Sequence, residues 1–172
     1  MSIELFLTQV MPVKQKLYRF AFRLLGNEED AKDITQDALM KVWHQKERMH
    51  ELNNLEAWCM RITRNLALDK MKSMKYRRAD DIDKAYDVPA AQQPDPQQSA
   101  EKRDVMKKVH SVINGLPEKY RSLVQLRDID GFSYQEIADI LDITLDEVKV
   151  NLHRARKTVR EQLKNMQVYG IQ

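Results

Sequence analysis

The stretch FSYQEIADILDITLDEVKVNLHRARK, Phe132 to Lys157, writes one helix start twice, eleven residues apart. Phe132-Ser133 is followed by Glu136-Ile137, and Ile143-Thr144 by Glu147-Val148, in the same order of apolar, hydroxyl, two spacers, glutamate, apolar. Each is a capping box with a hydrophobic staple. The hydroxyl accepts from an orphan amide of the first turn, the glutamate accepts from the cap residue's own amide, and the flanking apolar side chains pack together. Starts this close leave room for one short helix, about Ser133 to Leu141, ending near Asp142. Its neighbour then departs at a steep angle, as in a helix-turn-helix. An ordinary helical hairpin is the alternative.

The second helix favours the first reading. Val148, Leu152, Ala155, Val159 and Leu163 form one apolar stripe. At about 100° per residue, Val150, His153, Arg154, Lys157 and Lys164 fall on the opposite side. From Lys149 to Lys164 six basic residues face a single acid, Glu161. A solvated charged face mixes signs, whereas a helix that reads a major groove between phosphates carries one sign.

The rest of the 172 residues predicts an all-α protein: four glycines, five prolines and 42% apolar residues imply helices with few tight turns. No run of 18 apolar residues exists, so no membrane insertion is expected. The amino terminus has neither a basic leader nor a small-residue cleavage site. One cysteine, Cys59, cannot form an internal disulfide and fits a reducing, cytoplasmic compartment. The four histidines have no metal-ligand spacing with Cys59, and there is no phosphate-cradling glycine loop or nucleophile motif. No catalytic residue, metal or cofactor is therefore expected.

Charge divides the chain in three. Residues 1–78 carry a net +5, residues 79–100 carry −4, and residues 101–172 carry +2. The middle segment, ADDIDKAYDVPAAQQPDPQQSA, has three prolines, four glutamines and few large apolar residues, so ordering it costs more than it returns. It is expected to be a flexible acidic linker between two small helical domains, rather than a long loop of one domain.

In the first domain a helix is expected from about Ile3 through Leu25, stopping at Gly26, with a kink or break at Pro12. Asn27 caps the next helix, whose core face holds Ile34, Ala38 and Val42. Opposite it Asp33, Gln36, Asp37, Met40 and His44 form an exposed stripe. A polar segment, HQKERMHELNN, leads to a long helix from about Leu55 to Lys75, with Leu55, Trp58, Ile62 and Leu66 expected to be buried. Arg61, Arg64, Lys72 and Lys75 line another face, and from Arg61 to Arg78 seven basic residues meet only Asp69. Two separated basic surfaces imply contact with two stretches of nucleic acid.

Three segments together resemble a known family. EEDAKDITQDALMKVW is similar to the polymerase-binding segment of the extracytoplasmic-function sigma factors, the small two-domain promoter-recognition subunits of bacterial RNA polymerase. NLEAWCMRITRNLALDKMKS resembles the segment that binds melted promoter DNA, and the stretch from Ile113 to Arg160 resembles the carboxy-terminal helix-turn-helix.

The resemblance implies a transcription initiation factor, not an enzyme. It assigns Asp33, Gln36, Asp37 and Met40 to the coiled coil of the polymerase's largest subunit, and the second domain to the flap. Arg61, Arg64, Asn65, Leu68, Lys72 and Lys75, with the segment Gln45 to Asn54, would bind the minus-ten element and capture a flipped base. Lys149, Val150, His153, Arg154 and Lys157 would read the minus-thirty-five element. It also implies an anti-sigma partner, a linker that threads toward the basic active-site and RNA-exit path, and a monomer when free. Many members carry small or hydroxyl residues at Glu147 and Val150 and an arginine at Asn151. The rival readings are a conventional helix-turn-helix regulator acting without polymerase, a scaffold for acidic proteins or RNA, and an uncharacterised enzyme.

Overall fold

A computed structural model describes residues 2–77 and 100–168. Among these, all regular structure is helical, and the chain divides into two compact units. The proposed linker, residues 79–100, lies outside the described residues except for Ala100.

The amino-terminal unit starts with α1 (Ile3–Gln9), capped by the Ser2 hydroxyl, which accepts from the Leu5 amide at 3.2 Å. The long first helix is broken rather than kinked. Pro12 lies in a single 3₁₀ turn, Met11–Val13, and α2 (Lys14–Leu25) starts afresh. Proline offers no amide to the helical ladder. Gly26, at φ 67°, then ends α2 in the left-handed region, which a residue without a Cβ enters freely. Asn27 caps α3 (Glu28–His44), its side-chain oxygen accepting from the Asp30 amide at 3.0 Å. Asn54 does the same for Ala57 at the start of α4 (Leu55–Arg77), at 2.8 Å.

α2, α3 and α4 each pack on the other two. Leu17, Phe20 and Ala21 meet Ala31, Ile34, Ala38 and Val42 in the core. Burying Leu17 and Phe20 contributes roughly 1.5–3 kcal/mol each. The α4 contribution differs from expectation. Its buried residues are Ala57, Cys59, Met60, Ile62, Thr63 and Ala67, whereas Leu55, Trp58 and Leu66 are only partly covered. The buried arc is therefore turned by roughly 100°, one residue's rotation, from the large apolar stripe. Small residues there let the α4 backbone approach its neighbours, and Thr63 satisfies its hydroxyl on the Cys59 carbonyl at 2.9 Å. Ion pairs tie α4 to both neighbours: Lys16–Glu56 at 2.6 Å and Lys70–Asp30 at 2.9 Å. Phe6 meets Trp43 edge to face at 5.1 Å, which lays α1 on the end of α3.

The carboxy-terminal unit comprises α5 (Ala100–Asn114), α6 (Glu118–Val124), α7 (Tyr134–Leu141) and α8 (Leu145–Val168). α6 runs into one wide π turn, Gln125–Ile129, closed by the Asp130 amide on the Gln125 carbonyl at 2.9 Å. Both capping boxes form. Ser133 Oγ accepts from the Glu136 amide at 3.1 Å, and the Ser133 amide donates to Glu136 Oε2 at 2.8 Å. Thr144 and Glu147 repeat this at 3.2 and 2.8 Å. Between the helices Asp142 takes φ 56°, and the Ile143 amide reaches back to the Ala138 carbonyl at 3.1 Å, a Schellman closure. Phe132, Ile137, Val148, Leu152 and Ala155 are buried, and α8 lies against α5 and α6.

Candidate nucleic-acid interface

On α8 the core residues Val148, Leu152 and Ala155 leave Val150, His153, Arg154, Lys157 and Lys164 exposed on the other side, as expected, with Lys149 exposed on the flank between. Val150 is 48% exposed, an apolar contact among donors. Among the described residues Lys149, Arg154, Lys157, Arg160 and Lys164 have no carboxylate partner. Arg156 differs. Its guanidinium grips Asp128 of the π turn through two hydrogen bonds, Nη2 to Oδ1 at 2.5 Å and Nε to Oδ2 at 3.1 Å. The six-cation count read from the sequence therefore overstates the free charge by one. The sequence could not reveal this, because the partner lies 28 residues away.

Glu147 and Asn151, the two polar residues set apart in the sequence, differ in their surroundings. Asn151 is 5% exposed and belongs to the packed side of α8, so it does not face outward. Glu147 is exposed, but its carboxylate is held by Thr144. The Thr144 backbone amide first, and its hydroxyl second, keep that carboxyl below the ordinary range.

On α4 the residues Arg61, Arg64, Asn65, Leu68, Lys72 and Lys75 fall within an arc of about 100°, opposite the buried arc. The rotation of the core face sharpens this surface rather than disrupting it. Asn65 is exposed and, among the described residues, its amide has no intramolecular partner, so it does not serve the local backbone. Arg64 is half-buried, and its Nε lacks a hydrogen-bond partner. The segment before α4 forms a 3₁₀ turn, Lys46–Glu51, anchored by buried Met49, with the Lys46 ammonium 4.2 Å from the Trp43 ring centroid.

On α3, Asp33, Gln36, Asp37 and Met40 are exposed, Met40 at 59%. His44 donates from Nδ1 to the Met40 carbonyl at 2.7 Å, closing the helix end. Among the described residues no group of three or more His, Cys, Asp or Glu could hold a metal ion. None of the described helices is long and apolar enough to cross a membrane. Cys59 is fully buried, and burial first, with Glu56 second, raises its thiol to about 12.

These surfaces coincide with two matched family regions: residues 10–78 match Sigma-70 region 2, and residues 106–159 match Sigma-70, region 4. The chain belongs to the sigma-70 family. Its relatives place this sigma factor in the extracytoplasmic-function branch. It is 33% identical over 148 residues to the ECF RNA polymerase sigma factor SigE of Mycolicibacterium smegmatis, covering 86% of this chain and 57% of SigE. It is 29% identical over 160 residues to SigW of Bacillus subtilis, covering 89% of this chain and 86% of SigW. The sigma factor RpoE of Bartonella quintana, solved in complex with the anti-sigma factor NepR, matches with a TM-score of 0.72 at 27% identity, covering 94% of this chain and 98% of RpoE. CnrH, solved with the cytosolic domain of CnrY, shares the fold at a TM-score of 0.63 and 20% identity, covering 95% of this chain and 90% of CnrH.

Proposed function

We propose that this sigma factor binds core RNA polymerase, recognises minus-thirty-five and minus-ten promoter elements, and promotes strand opening. The supporting observation is that each matched sigma region carries one outward basic helix face, α4 in the first unit and α8 in the second. It acts as an initiation factor rather than an enzyme, in the cytoplasm, and is monomeric when free. The domains of this reading are residues 1–78 and 101–172, with residues 79–100 joining them.

Asp33, Gln36, Asp37 and Met40 dock on the coiled coil of the largest polymerase subunit, and the second unit meets the flap. Lys149, His153 and Arg154 offer donors to base edges, Val150 suits a thymine methyl, and Lys157 suits a phosphate. In the first unit Asn65 offers an unengaged amide to an extruded minus-ten base, beside the apolar Leu68. Arg61, Arg64, Lys72 and Lys75 supply charge for the strand's phosphates. Unstacking costs only a few kcal/mol per base, which such contacts offset. An anti-sigma factor covering one or both basic faces would block the step or steps that each face serves.

The decisive experiment mixes the full chain with core polymerase and a promoter library, and sequences transcript starts. Initiation at a shared pair of elements supports this function. DNA binding that never directs polymerase would instead support a conventional regulator.

A further inference from the structure

Of the six cations on α8 between Lys149 and Lys164, Arg156 is the one with a carboxylate partner among the described residues. It lies on the same flank as Lys149 and Arg160, within about 40° of each around the helix. Both are exposed and unpaired. A bidentate carboxylate presents a guanidinium with nearly the geometry of a phosphate. Asp128 therefore fills the valence that a DNA backbone would otherwise use. The pair is open to solvent, with side-chain exposures of 42% and 39%, so it competes with phosphate rather than being sealed from it. The same hydrogen bonds raise the already high Arg156 pKa, and the guanidinium is charged with or without Asp128, so the pair governs its availability and not its charge.

We propose that Asp128 acts as a built-in phosphate mimic that withholds Arg156 from DNA, lowering sequence-independent affinity and so setting the specificity of α8. This rests on the reading of α8 as a DNA-binding helix. Each phosphate neutralised adds about 0.9 to the slope of log affinity against log salt. Releasing Arg156 should therefore steepen the slope by about that amount, an extra three- to fourfold loss between 50 and 200 mM salt.

The test measures binding of the full chain to random-sequence duplex DNA over that salt range, with circular dichroism melting as a fold control. Asp128→Asn should tighten low-salt binding and steepen the slope by about 0.9. Arg156→Gln in the native background should leave the slope unchanged, and adding it to Asp128→Asn should restore the original value. An unchanged slope for Asp128→Asn overturns the inference. So does a slope about 0.9 shallower for Arg156→Gln alone, since Arg156 would then already contact phosphate; that second arm decides the matter even where Asp128→Asn fails to fold. No salt-dependent binding by the native chain would overturn the DNA-binding reading of α8 itself.

Discussion

Arg154 and Lys157 stand three residues apart on the exposed side of α8, yet their chemistry suits different work. A guanidinium can pair bidentately with a guanine edge, whereas an ammonium is a point charge suited to phosphate. Arg154→Ala should cost about 1–3 kcal/mol on the preferred minus-thirty-five sequence and flatten the preference at one base position. Lys157→Ala should weaken all sequences alike and reduce the salt slope by about one. Competition binding with single-base variants separates the two. Glu147 offers a pH test. Its carboxyl is lowered in the folded chain, so the stability it adds is complete above the unfolded value of about 4.3 and is lost as pH falls through the lower folded value. Thr144→Ala, which removes the hydroxyl half of this cap, should cost about 1 kcal/mol at neutral pH. The acid limb of a melting-temperature profile should flatten in Glu147→Gln. These caps were legible in the sequence because their partners are three residues apart. Arg156 was not, because nothing local marks an arginine as already engaged.

Among the helices, α3 and α4 carry the sharpest tests. Reversing Asp33 and Asp37 to lysine should abolish co-elution with core polymerase while leaving melting nearly unchanged, since exposed substitutions shift stability by only about 0.5 kcal/mol. Normal co-elution would remove that face from the dock. Asn65→Ala should spare polymerase binding and depress transcription from closed duplex far more than from a template with a pre-melted minus-ten bubble. Equal losses on both templates would place strand opening elsewhere. The outward face of α4 was legible from its cations, but its inward face was legible only at Ile62. The pattern directed Leu55 and Trp58 inward for their size, whereas packing against two helices selected Ala57, Cys59, Thr63 and Ala67 for their smallness. The π turn after α6 likewise left no local sign, because a single widened turn depends on what packs around it.

For the molecule as a whole, the division into two helical units was readable because charge and proline content change together between residues 78 and 101. Each unit also has its own buried centre, one around Leu17 and Phe20 and the other around Ile137 and Leu152. The chain carries two tryptophans and one cysteine, and Trp43, Trp58 and Cys59 all belong to the first unit. Cys59 is sealed, with a thiol that stays protonated at neutral pH, so it should react with a disulfide reagent only when that unit opens. In a urea titration, indole fluorescence and thiol labelling should share one midpoint, and far-UV dichroism should show a further transition that neither optical nor chemical probe registers. Coincidence of all three would mean that the units unfold together. The placement of these three side chains makes the unmodified protein its own half-labelled sample, reporting the breathing of one lobe in silence from the other.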